Sequence, residues 1–304
     1  MLRFVDFPYD FDPTSNLFLD ASKEFLGTNS DLYSKNLTFV GCYPEISLME
    51  KTCMFVRSRL SHVGMTNWLS HQKGISSLTR IEGKKVWITF ENRRIPSEGA
   101  DLTVSFDLDT NEGRNIYFPL LFSYIDFLGT NATYAKHKIS FETLKQSRNE
   151  IGKPLNERKF ACAFINNPDP VRLRFIRELE TYGSVDIFGR YFGNYVDNKI
   201  DVGNNYLLSI CFENDLFPGY VTEKPLEAWL SRSVPIYWGD DAAGLLNEAA
   251  IINLVDSVSF RKSAHDVFQL SKDLRRLEKV IRESLIRSEF PKPDLVSFLG
   301  QVLA

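Results

Sequence analysis

The chain has 304 residues, 43% apolar and 25% charged, with a formal net charge of -3 at neutral pH. That length buries a large core as one domain or as two of about 150 residues, with no need of disulfides, and the composition is that of an ordinary globular protein. The slight acidity argues against nucleic acid as a main partner. No 18-residue apolar run is present to span a membrane.

Asp6, Asp10 and Asp12, with Pro8 and Pro13, interrupt the N-terminus before any signal-like apolar stretch. The four cysteines (Cys42, Cys53, Cys162, Cys211) are scattered without a CxxC pair, which suits a reducing compartment. His62, His71, His137 and His265 are isolated, which argues against a zinc site.

In chain order, Leu2 to Phe7 reads as an opening strand, and Asn16 to Leu26 carries the apolar stripe of a helix. Leu37 to Gly41 and Cys53 to Val56 are further strands. Lys85 to Phe90 is a buried strand ending in Glu91-Asn92-Arg93-Arg94-Ile95-Pro96. Glu91, at a strand end among polar residues, is the candidate for acid–base work. Leu102 to Phe106 follows as a strand. Asp107-Leu108-Asp109 has the form of a metal-binding triplet, but Thr110 to Gly113 make it read as a turn in which Asp bonds its own backbone.

Residues from about His137 to Arg158 are polar and broken by Gly152 and Pro154, the expected passage between domains. Phe160 to Ile165 then starts a second set of strands. Asn166 to Pro170 turns, and a helix follows with Leu173, Phe175, Ile176 and Leu179 on its apolar face. Arg172 lies near its N-terminus, where anions are favoured. Val185 to Gly189 is a strand and Asn194 to Gly203 a polar loop. Strands alternating with helices imply mainly parallel sheets.

The most informative stretch runs from Cys211 to Gly239. A strand, Leu207 to Phe212, leads into a turn-rich segment. Thr222 stands where a helix N-cap belongs, with Pro225 in the first turn. Val234 to Trp238 is the next strand. Asn214, Tyr220, Glu223 and Lys224 thus gather at the carboxyl end of a strand, the edge where open α/β sheets bind ligands. Beyond it, Ala242 to Ala250 reads as helical and Ile251 to Leu254 as a strand. Ser263 to Arg287 reads as one long amphipathic helix, and Phe298 to Leu303 as a segment returning to the first domain. The Lys- and Arg-rich face of the long helix either stays in water or makes a weak peripheral contact with an anionic membrane.

Phe212-Glu213-Asn214, Tyr220-Val221-Thr222-Glu223-Lys224, Ala228 and Val234-Pro235-Ile236 closely resemble the signature of the α1,3/4-fucosyltransferases, glycosyltransferase family 10. The resemblance implies a GT-B fold: two Rossmann-like domains facing a cleft, 1–150 binding the acceptor and 151–304 the donor. It implies inverting transfer of L-fucose from GDP-fucose to a hydroxyl, expected to be O3, of N-acetylglucosamine or glucose in a glycan such as N-acetyllactosamine or lactose. Glu91 matches the family's base, although Phe90 stands where bacterial relatives tend to carry glycine. Arg172 matches the arginine of the family's Pro-x-Arg element. Arg172 and Lys224 would stabilise the leaving GDP, Glu223 would hold the ribose diol, and Asn214 and Tyr220 would line the pocket. These cations do in part what a metal does elsewhere, so no metal or other cofactor is required. Animal members carry an N-terminal membrane helix; this chain looks like a cytoplasmic bacterial member, peripheral at most, or a Golgi-lumenal one trimmed of its anchor. Two alternatives stay open: the same fold with another nucleotide sugar, and a glycan-binding protein without activity.

Overall fold

The computed structural model describes residues 2–5, 12–27, 36–41, 78, 81–89, 99–166 and 168–303. Glu91, the expected strand at Cys53 to Val56, Cys42, His62 and His71 lie outside them. The chain divides into two compact units. One comprises Met1–Lys138 with Lys292–Ala304, the other Ile139–Pro291.

The first unit holds a five-stranded sheet of β1 (Leu2–Val5), β2 (Leu37–Val40), β3 (Lys84–Ile88), β4 (Leu102–Ser105) and β5 (Asn115–Tyr117), in that order and all parallel. Between β1 and β2 runs α1 (Leu17–Leu26). Asn16 caps it by accepting the Leu19 N–H at 2.9 Å, and Gly27, at φ 76°, ends it. Its buried face carries Phe18, whose ring lies 5.8 Å from that of Phe39 on β2. After β4, Asp107 accepts the N–H of Asp109 at 3.2 Å and Asp109 that of Asn111 at 2.9 Å. The acidic triplet is therefore built as consecutive Asx turns.

The second unit is also a five-stranded parallel sheet with helices. Its elements are β6 (Lys159–Phe164), α2 (Pro170–Glu180), β7 (Val185–Phe188), α3 (Lys199–Gly203), β8 (Tyr206–Phe212), α4 (Lys224–Leu230), β9 (Val234–Trp238), β10 (Ile252–Asn253), α5 (Phe260–Lys272) and α6 (Leu274–Arg282). The spatial order is β10-β9-β8-β6-β7. All seven residues of β8 are buried, as a central parallel strand covered on both faces requires. Ala161, Ala163, Leu208, Ile210, Val234 and Ile236 from the sheet pack with Phe175, Ile176 and Leu179 of α2, Val267 of α5, and Leu277 and Ile281 of α6.

Four local expectations are corrected. Thr222 is not the cap of α4; Glu223 holds that position and makes no side-chain cap. The Thr222 hydroxyl instead donates to the Glu213 carboxylate at 2.6 Å, a charge-assisted bond. The long helix from Ser263 is two helices, because the Asp273 carboxylate accepts the Arg276 N–H at 3.0 Å and starts α6 afresh. The polar loop from Asn194 contains α3, capped by Asn198. Only Glu248–Ala250 of the expected helix from Ala242 is helical, as a single 3₁₀ turn.

The polar passage before Arg158 belongs largely to the second unit, held there by arginines. Arg148 donates to the Trp229 carbonyl at 2.6 Å and stacks 3.3 Å above its ring. Arg158 donates to the carbonyls of Lys153, Ile151 and Arg232. The Trp229 carbonyl in the last turn of α4 thereby gains a cationic partner, which also suits the helix dipole. The last helix, α7 (Leu295–Leu303), belongs to the first unit and packs on α1.

Candidate functional site

The strand order of the second unit reverses between β6 and β8. In doubly wound sheets this switch point opens a crevice at the carboxyl ends of the strands. A cavity of about 170 Å³ lies there, lined among others by Phe164 at the end of β6, Asn166 after it, Arg172 on α2, Asn214 after β8, and Glu223 and Lys224 at the start of α4.

Arg172 is carried by the third residue of α2, whose N-cap Asp169 accepts the Val171 and Arg172 N–H groups at 2.9 and 3.2 Å. The residue is 3% exposed. It donates to the Phe212 carbonyl at 2.7 Å, the Glu213 carbonyl at 3.3 Å and Asn214 Oδ1 at 3.1 Å. Arg172 thus bridges the switch point from α2 to the end of β8. Burial pulls its pKa down, against the opposing pull of Asp169 and Glu213, and the group stays charged at any working pH.

Lys224 rests on a buried acid. Its ammonium donates to Glu213 Oε2 at 3.1 Å and to Thr222 Oγ1 at 2.9 Å. An ammonium has three N–H donors, and among the described residues the third meets no protein acceptor; Lys224 lines the cavity. Burial alone would lower the Lys224 pKa, but Glu213 and Glu223 more than offset it, and the ammonium is held above its ordinary value.

Arg172, Asn214, Glu223 and Lys224 are therefore brought together. Tyr220 is not on the cavity wall. It is 2% exposed, packed inward, and its carbonyl accepts the Tyr237 hydroxyl at 3.5 Å.

Two acids escaped the sequence reading. Glu213 is fully buried at the end of β8 and sits in the middle of the Phe-Glu-Asn run, where its strand-end position was the available signal. Glu227, 6% exposed in the first turn of α4, pairs with Lys199 of α3 at 2.7 Å on another wall of the cavity. Their partnership joins residues 28 apart, so nothing local announces it. Among the described residues no cluster of His, Cys, Asp or Glu gathers to hold a metal, and no helix is long and apolar enough to cross a membrane.

Two parallel α/β units, the second with Arg172 and Lys224 at the cavity of its switch point, have the architecture of the GT-B fold class. The solved structures agree: an α1,3-fucosyltransferase aligns over 99% of this chain and 89% of its own, with a TM-score of 0.69 at 20% identity. Anabaena Alr3699/HepE, in complex with UDP-glucose, aligns with a TM-score of 0.54 at 10% identity, over 99% of this chain and 97% of its own. Within that class, residues 155–281 match glycosyltransferase family 10 (fucosyltransferase), C-terminal part, and the second unit is a domain of that family. The alpha-(1,3)-fucosyltransferase FucT of Helicobacter pylori is 30% identical over 208 residues, 60% of this chain and 43% of the relative. The bovine 4-galactosyl-N-acetylglucosaminide 3-alpha-L-fucosyltransferase 9 is 27% identical over 128 residues, 41% of this chain and 34% of the relative. The chain spans less than half the length of these curated relatives.

Proposed function

We propose that the chain transfers L-fucose from GDP-fucose, with inversion, to a glycan hydroxyl, O3 of N-acetylglucosamine or glucose. The observation that carries this reading is the pairing of Arg172 with a Lys224 that keeps an N–H for the cavity. The reaction breaks the bond between the fucose anomeric carbon and the diphosphate, and charge grows on the departing GDP. Two fixed cations at the switch point stabilise that charge more than the ground state, which is what lowers the barrier. Glu223, on the same wall, suits the ribose diol as a hydrogen-bond acceptor. The acceptor hydroxyl must lose a proton as it attacks, and Glu91 is assigned that role in the first unit.

The test is GDP release from GDP-fucose with N-acetyllactosamine or lactose, run with EDTA. Acceptor-dependent release in EDTA is expected. Release from another nucleotide sugar in preference to GDP-fucose would overturn the choice of donor, and GDP binding without release to any acceptor would favour a glycan-binding protein. Glu91→Gln is expected to abolish transfer while keeping GDP affinity in calorimetry; a matching loss of affinity would remove Glu91 from the base role.

A further inference from the structure

Glu213 carries no exposed surface, yet four protein donors converge on its carboxylate. Oε1 accepts the Thr222 N–H at 2.8 Å and the Tyr237 hydroxyl at 3.3 Å. Oε2 accepts the Thr222 hydroxyl at 2.6 Å and the Lys224 ammonium at 3.1 Å. Its own N–H donates to the Trp238 carbonyl at 2.9 Å, which ties the end of β8 to β9. The carboxylate thus holds together the end of a central strand, the neighbouring strand and the segment that delivers Glu223 and Lys224.

A purely structural hub has no need of a charge here. A buried carboxylate is costly to desolvate, and a buried ion pair is often replaced as a whole by neutral side chains without loss. What a charge alone supplies is the state of its cationic partner. The groups around Lys224 are Glu213 just after β8, the Cys211 thiol on β8, Glu223 and Glu227 from its own segment and Arg172 from α2, with the Tyr237 hydroxyl of β9 bonded to Glu213 behind it. Arg172 disfavours the ammonium, as burial does, so the acids must offset both. Only Glu213 among them touches the ammonium directly.

We propose that Glu213 is a positioning residue of the donor site: its carboxylate keeps Lys224 protonated and turned so that one N–H faces the diphosphate of a bound nucleotide. The proposal rests on the donor reading above and makes a separate claim, that the cation at the leaving group is held in place and in charge from behind. Glu213 touches neither nucleotide nor sugar in this role. The Thr222 hydroxyl, held by Glu213, accepts a second ammonium proton and so fixes which N–H remains.

The test compares GDP affinity by calorimetry for the unaltered chain, Glu213→Gln and Thr222→Val between about pH 6 and pH 8.5, with thermal melting as the fold control. The ratio of variant to unaltered affinity cancels the nucleotide's own titration. Glu213→Gln keeps the shape and removes the charge, so Lys224 should titrate within this range as buried lysines do. The expected loss is about threefold or less near pH 6 and about tenfold or more near pH 8.5. A loss that is the same at every pH, or no loss, overturns the proposal. If Glu213→Gln does not melt cooperatively, Thr222→Val decides, because it keeps the backbone N–H to Oε1 and removes one ammonium acceptor. Binding weakened about threefold or more supports the proposal, and unchanged affinity overturns it. Failure of the unaltered chain to bind GDP would overturn the donor reading itself, and this proposal with it.

Discussion

Replacing Lys224 by alanine separates two effects that meet at one side chain. The variant leaves Glu213 buried with only Thr222 and Tyr237 to satisfy it, so some stability is lost, on the order of 1–3 kcal/mol. It also removes a cation expected to act on the leaving diphosphate. By analogy with lost oxyanion donors, Lys224→Ala should raise the barrier by about 2–4 kcal/mol. The measurement is turnover at saturating GDP-fucose and acceptor, at a temperature well below the variant's melting point. A lower melting temperature with near-normal turnover would leave Lys224 a structural role only. Arg172 invites no equally clean experiment, because it holds three oxygens at the end of β8 and its loss would disturb the strand end as well as the charge.

At the scale of elements, the loop from Asp240 to Asn247 carries its own prediction. The sequence reading expected a helix from Ala242 to Ala250. The Asp241 carboxylate instead takes the N–H groups of Leu245 and Leu246 at 3.0 and 2.7 Å, and Gly244 turns at φ 65°. Burial raises the Asp241 pKa from 3.8 to about 6, against the pull of those two N–H groups and of Arg287. Between the two values the folded chain binds more protons than the unfolded one, so stability falls as pH rises through this window. A rise of that size corresponds to at most about 3 kcal/mol, present below about pH 4 and lost above about pH 6. Asp241→Asn gives up one acceptor oxygen at every pH but cannot ionise. Its melting temperature should therefore gain on that of the unaltered chain from pH 4 to pH 7; parallel curves would remove Asp241 from this role. The same physics marks where reading elements from sequence stops. Strands such as Leu207 to Phe212 were legible because burial on both faces demands continuous apolar residues. The break at Asp273 was not, because the apolar stripe runs on across it although Asp is a favoured N-cap; the displaced cap at Thr222 was not, because its hydroxyl bonds Glu213, a partner outside the helix that propensity does not see. The candidate site divides likewise. Glu223 and Lys224 stand together in the chain and were legible, whereas the Lys199–Glu227 pair exists only through folding.

For the whole molecule, the consequential feature is that the chain returns to its first unit after completing its second. Helix α7 buries Leu295, Leu299 and Leu303 and packs on α1, which has Leu17, Phe18, Leu19 and Ala21 on its buried face. The approach is close: a Cβ on Gly300 would lie 2.2 Å from the Phe25 ring. The cavity-lining residues Phe164, Asn166, Arg172, Lys199, Asn214, Glu223, Lys224 and Glu227 all fall within Ile139–Pro291. Removal of residues 292–304 should therefore strip α1 of an apolar partner and weaken the first unit, at about 25 cal/mol per Å² of apolar surface exposed. GDP binding should survive, within about threefold of the full chain, because no residue of the site is lost and about 0.6 kcal/mol covers indirect effects. Limited proteolysis should cut first within residues 1–138 in the truncated chain, while calorimetry with GDP stays close to the full-length value. Early cleavage within residues 139–291, or loss of GDP affinity, would mean that the second unit depends on α7 for its own stability, and the nucleotide site would have to be regarded as a property of both units rather than of one.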